Sequence, residues 1–113
     1  MRAMHRVWPV VLVIAACGGE GAQLPRAQLR SAGELAFNGY SASHATCFEC
    51  HDGTGAGTKW GPALADRVPR LDDTALRAVI LDGKGKMPGF RGKLTDAELG
   101  DLVAWLRERF GRP

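Results

Sequence analysis

The sequence predicts an all-α domain with unusually long loops, because helical patterns recur in it and strand patterns do not. Three stretches combine a capping residue or an amphipathic face with a glycine exit. No stretch alternates polar and apolar residues for long enough to make a convincing strand. The connecting segments Ser41–Ala45, Asp52–Pro62 and Gly83–Gly92 are rich in glycine, proline or small polar residues. Loops of this length in a small domain are often organised by something other than protein.

The composition limits the chain to one small globular domain. It has 113 residues, of which 45% are hydrophobic and 24% charged, so a disordered chain and a multidomain enzyme are excluded. Fifteen glycines argue against a regular helical bundle or a long coiled coil. The three cysteines are too few for a disulfide-stapled mini-protein and odd in number, so each needs its own explanation.

Residues 1–16 have the pattern of a bacterial export signal. Arg2, His5 and Arg6 precede the apolar run Val7–Ala16, which is too short to span a bilayer because a spanning helix needs about 20 residues. The sequence Ile-Ala-Ala-Cys that ends at Cys17 resembles the lipobox of bacterial lipoproteins. In that class the cysteine receives diacylglycerol and becomes the new N-terminus. The alternatives are a plain signal peptide cut elsewhere and a buried N-terminal helix.

Cleavage before Cys17 changes the charge balance. Removing residues 1–16 leaves 97 residues and lowers the net charge from +3 to +1, because Arg2 and Arg6 leave with the signal. The sequence pI of about 9.0 therefore does not indicate nucleic-acid binding. Residues 17–30 are interpreted as a flexible tether for a domain at residues 31–113. The predicted location is the periplasm, with lipid on Cys17 anchoring the protein to the inner or outer membrane.

The helices have recognisable starts and stops. Ser31–Glu34 reads as a capping box that starts a first helix, and Gly39 is placed to end it. A second helix is predicted over residues 73–81. The capping box at Thr95–Glu98 starts a third helix that Gly111 closes. The third helix carries apolar residues at helical spacing: Leu99, Leu102, Val103, Leu106 and Phe110.

The segment Cys47–His51 reads Cys-Phe-Glu-Cys-His, the C-x-x-C-H pattern of a c-type haem attachment site. Two thiols about one helical turn apart can each add to one haem vinyl group, and His51 then turns its imidazole toward the iron. A C-x-x-C redox motif belongs near a βαβ pattern, which the sequence lacks. A zinc site needs four ligands, and His44 lies too close in sequence to be a comfortable fourth.

Met87 is the candidate ligand for the other face of the iron. Once the signal is removed, it is the only methionine left, and His44 is the only spare histidine. Met87 lies in a loop between glycines, next to Pro88, where there is little core for it to fill. A thioether in the sixth position would leave no open coordination site and would raise the reduction potential relative to a harder ligand. His44 should stay near the proximal edge and is interpreted as a loop histidine.

From about residue 31 to the C-terminus the chain resembles a small class I cytochrome c. The segment Gly61–Leu64 is similar to the Gly-Pro-x-Leu of that family. The resemblance implies a cytochrome c fold, with three to four short helices and long loops wrapped around one covalently bound haem. It also implies that the Pro62 carbonyl accepts a hydrogen bond from the axial histidine. The predicted haem c site therefore consists of Cys47, Cys50, His51, Met87 and Pro62.

The family crosses its first and last helices at Gly-x-x-x-aromatic and Leu-x-x-aromatic sequences, which Gly33/Phe37 and Leu102/Trp105 match. One departure is that Phe37 lies ten residues before Cys47, where the family usually has about four.

Two explanations of this longer spacing are open. Residues 39–44 form an inserted loop, or Gly39 is the crossing glycine with Ser43 in place of the aromatic residue. The cap at Ser31 and the stop at Gly39 favour the insertion.

The predicted function is one-electron transfer rather than enzyme catalysis. Basic residues surround Met87 and could steer an acidic docking face of a donor or acceptor in the envelope. They are Lys84, Lys86, Arg91 and Lys93. The alternative for these residues is a merely solvated loop. The protein is expected to be a monomer that binds no nucleic acid.

Two other functions stay open. One is a haem enzyme or gas sensor with an open sixth site, although no distal His–Arg pair is apparent. The other is a fixed electron-relay subunit of a larger respiratory or dehydrogenase complex. In each case the haem should complete the core, since a chain this small buries little surface by itself. The residues expected around or behind it are Leu64, Leu71, Leu76, Ile80, Leu94, Leu99 and Leu102.

Overall fold

The computed structural model describes residues 20–113, and this part of the chain is helical without a strand. Its helices are α1 (Ala32–Phe37), α2 (Cys47–His51), α3 (Asp73–Asp82) and α4 (Asp96–Phe110). Short 3-10 turns lie at Arg26–Gln28, Leu64–Asp66 and Val68–Arg70. The all-α prediction is confirmed. The predicted signal at residues 1–16 and the lipidation site Cys17 lie outside the described residues.

Side-chain caps fix where the helices begin. The Thr95 hydroxyl accepts from the Glu98 amide at 3.1 Å, and the Glu98 carboxylate accepts from the Thr95 amide, which completes the predicted capping box of α4. At α1 the Ser31 hydroxyl accepts from the Glu34 amide at 3.1 Å, while the Glu34 carboxylate accepts from the Arg30 amide. The first helix is therefore capped at Ser31 as predicted, with the reciprocal bond displaced by one residue.

Helices α1 and α4 cross at Gly33. A Cβ atom on this residue would lie 2.1 Å from the Asp101 carbonyl oxygen, so only glycine permits the approach. Next to the crossing, the Phe37 and Trp105 rings pack with their centroids 5.0 Å apart. The predicted crossing pair is confirmed, and Gly39 is not the crossing glycine.

The extra residues between α1 and α2 form the inserted loop that the spacing predicted. Gly39 has a φ of +82°, which ends α1 and turns the chain away. The amide and hydroxyl of Ser43 donate to the Glu98 carboxylate, so the loop is tied to the start of α4. His44 is exposed in this loop, and its Nδ1 lies 3.3 Å from the Gly39 carbonyl oxygen.

Residues 21–29, here called the N-terminal strap, differ from the prediction of a flexible tether. The Leu24 amide donates to the Asn38 side chain at 3.0 Å, and the Tyr40 hydroxyl donates to the Leu24 carbonyl at 2.7 Å. Leu29 is buried. The described part of the predicted tether is therefore bound to the domain, because its backbone finds hydrogen-bond partners there that the sequence pattern does not show.

The core surrounds a cavity rather than filling the centre of the domain. Of the seven residues expected around or behind a haem, five line this cavity: Leu64, Leu71, Leu76, Ile80 and Leu102. Leu94 and Leu99 are buried in the same apolar cluster but do not line it. Within residues 20–113, no helix combines the length and the apolar character needed to cross a membrane.

Candidate functional site

The cavity has a volume of about 540 Å³ and is lined mainly by apolar side chains. This volume lies within the range of roughly 300–1,000 Å³ that is usual for ligand and cofactor sites. Cys47, Cys50, His51 and Met87 all line it, as does Pro62. The structure thus brings the predicted site residues together in one cavity, although they span forty positions of the chain.

Helix α2 presents both cysteines and His51 to this cavity. It has five residues, too few to be stable alone, so its last carbonyls must be bonded by other segments. The Thr58 hydroxyl donates to the Cys50 carbonyl at 2.6 Å, and the Gly57 amide donates to the His51 carbonyl at 2.8 Å. The loop after α2 therefore folds back and holds the helix that carries the attachment motif.

The imidazole of His51 is fixed by the Pro62 carbonyl. Its Nδ1 lies 2.9 Å from that oxygen, and because a carbonyl only accepts, Nδ1 carries the proton and the lone pair lies on Nε2. Burial lowers the pKa of His51, and the bond to Pro62 partly opposes this shift. The ring is therefore neutral at pH 7, with one nitrogen available to a metal.

Cys47 is half-buried in the cavity wall. Burial raises the pKa of its thiol to about 12, so the sulfur is uncharged at neutral pH. An uncharged thioether in the same place would suit these surroundings equally well. The two cysteines of the motif share the cavity wall with His51, as covalent attachment of one haem requires.

Met87 is half-buried at the cavity, in a tight turn. The Lys84 amide donates to the Met87 carbonyl at 3.2 Å, and the Met87 amide donates to the Lys84 carbonyl at 3.0 Å. Pro88 follows in the cavity wall. The turn therefore holds the thioether side chain at the same cavity as His51, in a segment that is neither helix nor strand.

The mouth of the cavity is basic. Its exposed cationic side chains, here called the basic rim, are Arg67, Arg70, Lys84 and Lys86. Trp60 lies among them and is 40% exposed. The Lys86 ammonium is 5.9 Å from the centre of the Trp60 ring, and that of Lys59 is 5.4 Å from it.

Two of the four basic residues predicted around Met87 point elsewhere. The Arg91 guanidinium donates to both carboxylate oxygens of Asp82, at 2.7 and 3.0 Å, and this bond lowers the pKa of that carboxyl. The Lys93 ammonium lies over the Phe90 ring at 5.9 Å. Neither Arg91 nor Lys93 lines the cavity. The predicted ring is therefore reduced to Lys84 and Lys86 from this loop.

Trp60, Arg67 and Arg70 were not predicted from the sequence as part of the site, although both arginines belong to the basic rim and Trp60 lies beside them. Trp60 directly precedes the Gly61–Leu64 segment, and both arginines follow it within a few residues. Proximity to that segment is the signal that would have indicated them. The rim thus combines residues from two loops that are distant in the chain.

The residues of the cavity fit a haem c. The wall is apolar, two cysteines lie on the helix that ends in His51, and a thioether side chain reaches the same space. Among residues 20–113, no group of three or more His, Cys, Asp or Glu side chains could hold a metal ion by itself. The zinc alternative therefore has no ligand cluster in this part of the chain. His44, the spare histidine of the sequence, lies in the inserted loop and does not line the cavity.

Comparison with known proteins agrees with this site. The model of the family described as "Cytochrome C oxidase, cbb3-type, subunit III" matches residues 35–106. Cytochrome c-551 of Bacillus subtilis (strain 168) is 28% identical over 99 residues, which cover 87% of this chain and 86% of that protein. The solved structure of dihydro-heme d1 dehydrogenase NirN in complex with DHE superposes with a TM-score of 0.58 and 32% identity over 74% of this chain. The match spans only 16% of the NirN chain.

Proposed function

Because the chain belongs to the cytochrome c family whose model matches residues 35–106, we propose that it is a one-electron carrier in which His51 and Met87 ligate the haem iron. The cofactor is haem c, for which the motif supplies Cys47 and Cys50. When bound, haem c supplies an iron that accepts and releases one electron. The observation that carries the proposal is that His51 and Met87 line one apolar cavity while Pro62 fixes the His51 ring.

The side chains of the site favour electron transfer over catalysis. His51 is held in one tautomer, and Met87 lies in a short hydrogen-bonded turn, so neither side chain needs to rearrange when the charge at the iron changes. Apolar walls limit the access of water and, together with the thioether, favour a raised reduction potential. NirN is named a dehydrogenase, and the likeness of this chain to part of it makes an open sixth site the alternative to test.

The ligation is tested with Met87→Ala in the haem-loaded protein. Removal of the thioether should abolish the weak far-red charge-transfer band of the ferric form and allow the ferrous form to bind carbon monoxide. Val79→Ala is the matched control, because Val79 lines the same cavity without a ligating atom. If the parent already binds carbon monoxide strongly and lacks the band, the site is open and the protein is not a simple carrier.

The basic rim supports docking to an acidic redox partner. Exposed Trp60 offers an apolar centre, and the surrounding cations offer long-range attraction that salt screens. Lys84→Gln combined with Lys86→Gln should lower the rate of electron exchange with an acidic redox protein and flatten its salt dependence. Arg91→Gln is the control, because Arg91 is already paired with Asp82. Equal effects of both changes would argue against docking at this rim.

Cys17 is the proposed attachment point to the envelope membrane. Cytochrome c domains of this type are extracytoplasmic, and the lipobox-like sequence before Cys17 would add a lipid anchor. Mass spectrometry of the N-terminal peptide should show a diacylglyceryl adduct on Cys17, and Cys17→Ser should release the protein from the membrane fraction. An unmodified N-terminus elsewhere in the sequence would contradict this. Size analysis after detergent extraction separates a free carrier from a subunit of a larger complex.

A further inference from the structure

The N-terminal strap contacts the end of the helix that carries the haem motif. The Gly21 amide donates to the Glu49 carbonyl at 2.8 Å, and the Gly53 amide donates to the Ala22 carbonyl at 2.9 Å. The Ala22 amide donates to the Asp52 carboxylate at 3.0 Å. In the described part of the chain, no strap residue lines the cavity. The strap therefore supports α2 and the residues just after His51 without being part of the cavity wall.

Asn38 joins the strap to this region from the interior. It is completely buried, and its Oδ1 accepts from the Leu24 amide at 3.0 Å. Its Nδ2 donates to the carbonyls of Glu34 and Gly53, at 3.2 and 3.3 Å. Its own carbonyl accepts from the Gln23 side chain at 2.7 Å. One buried amide thus connects the end of α1, the strap and the residue two positions after His51.

The chain after His51 needs such support. Asp52 has a φ of +65°, in the left-handed region that residues with a side chain rarely adopt. Its carboxylate accepts from the amide and hydroxyl of Thr54 as well as from the Ala22 amide. A five-residue helix cannot impose this conformation on its exit residue. The strap supplies one of the bonds that hold it.

We propose that the N-terminal strap is a positioning element for the axial ligand His51. Its hydrogen bonds to Glu49, Asp52 and Gly53 hold the end of α2, so that the buried imidazole of His51 keeps its orientation toward the cavity. Detaching the strap should loosen α2 and the following turn while α3 and α4 stay folded. This inference rests on the proposed ligation of the iron by His51.

The close approach of Gly21 to the backbone of α2 allows the strap to be displaced by a single substitution. A Cβ atom at Gly21 would lie 1.7 Å from the Phe48 carbonyl oxygen and 2.9 Å from the Asp52 amide nitrogen. These are backbone atoms that cannot turn aside, so Gly21→Ala should displace the strap without altering a cavity-lining side chain. Gly100 is the matched control, because a Cβ there meets nothing within 4 Å.

The experiment measures amide hydrogen exchange and reduction potential on the haem-loaded full-length protein. In Gly21→Ala, exchange at residues 47–53 should be at least about tenfold faster than in the parent, with exchange in α3 unchanged. The reduction potential should also move from the parent value, and Gly100→Ala should change neither. Exchange at residues 47–53 that equals the control, uniform acceleration throughout the molecule, or an unchanged potential would overturn the proposal.

A milder variant guards against failure of Gly21→Ala to fold. Gln23→Ala removes only the bond from an exposed side chain to the Asn38 carbonyl, and should accelerate exchange in the same residues by about threefold. No acceleration in this variant would contradict the positioning role.

The absorption spectrum of the parent protein is recorded first. If it shows that His51 does not ligate the iron, the proposed function and this inference both fail. If His51 ligates the iron but amide exchange at residues 47–53 is the same in the variants as in the parent, only this inference fails.

Discussion

Arg107 is a cation in the interior of the domain, with only 5% of its surface exposed. Its guanidinium donates to the carbonyls of Val68 at 2.8 Å, Gly111 at 3.3 Å, and Leu71, and its Nε donates to Asp73 at 2.8 Å. Val68 and Leu71 both line the cavity. These hydrogen bonds compensate the buried charge. Arg107 therefore joins the cavity-lining segment at Val68 and Leu71 to α4.

Arg107→Met should therefore destabilise the protein. The aliphatic side chain fills much of the same space but removes the guanidinium donors of the Val68 and Leu71 carbonyls, of which only Val68 keeps another, the Leu71 amide at 3.2 Å. The expected cost is about 2–4 kcal/mol. Chemical denaturation of the haem-loaded protein measures the change. The control is Arg109→Met on the exposed side of the same helix, which should stay within about 0.5 kcal/mol of the parent. Equal stability of the two variants would contradict the role given to Arg107.

Among the helices, the contact between α1 and α4 holds the domain together. The two helices approach so closely at Gly33 that backbone meets backbone, and the Phe37 and Trp105 rings fill the space beside the crossing. Phe37 also lies 6.5 Å, centroid to centroid, from the His51 ring. The crossing therefore contacts the proposed axial ligand directly, and a change in helix separation would reach the haem site.

Gly33→Ala should separate these helices. The new Cβ would lie 2.1 Å from the Asp101 carbonyl oxygen, and the required backbone shift should lower stability by about 1–3 kcal/mol. Gly100→Ala adds the same methyl group to α4 where it meets nothing, and should stabilise the protein by up to about 1 kcal/mol through helix propensity. Thermal unfolding of the two variants and the parent measures both changes in stability. If Gly100→Ala lost as much stability as Gly33→Ala, the close approach of α1 and α4 would not be the cause of the loss.

The inserted loop depends on Glu98, whose stabilising effect should vary with pH. Hydrogen bonds from Ser43 above all, and also from Ser41 and Thr95, lower the pKa of this carboxyl from 4.5 to about 2. Its contribution should thus be complete above about pH 4.5 and disappear as the pH falls toward 2.

Glu98→Gln should lower stability at pH 7 by about 1 kcal/mol, the scale of a lost capping contact. The difference from the parent should shrink below pH 4.5 and vanish near pH 2. Glu108→Gln, on an exposed part of the same helix, is the control at pH 7 and should stay within about 0.5 kcal/mol of the parent there. Unfolding curves across this pH range provide the measurement. A difference that stays constant down to pH 2 would be inconsistent with the pKa shift.

Local signals explain which elements could be predicted from the sequence. Caps and exits are set by neighbouring residues, so α3 and α4 begin and end within one residue of the expected positions. The attachment motif and the Met87 loop are equally local. Helix α2 is too short for periodicity to reveal, and its support comes from residues 21, 57 and 58. The strap, the buried amide of Asn38 and the Arg107 network depend on contacts between distant segments, which no local pattern specifies.

The haem cavity lies where other small domains have their core. Left empty, a cavity of 540 Å³ would cost on the order of 10 kcal/mol, which is comparable to the whole stability of about 5–15 kcal/mol that a domain of this size has. The bound haem is therefore part of the fold, and the apolar residues around it depend on it for their packing.

The protein without attached haem should be largely unfolded. Cys47→Ala combined with Cys50→Ala removes the attachment thiols, and the near-UV circular dichroism of this variant should lose its native bands. Met87→Ala is the control, because it keeps the covalent haem and should keep the tertiary signal. Native-like near-UV bands in the double variant would mean that the chain folds without its cofactor.

The proposed function requires a haem that is bound covalently to Cys47 and Cys50 and ligated by His51 and Met87. Absorption spectra of both redox states, recorded before and after extraction with acidified organic solvent, test it most directly. We expect c-type bands that stay with the polypeptide and a weak far-red band in the ferric protein. Colourless protein, or pigment that moves entirely into the solvent, would contradict it.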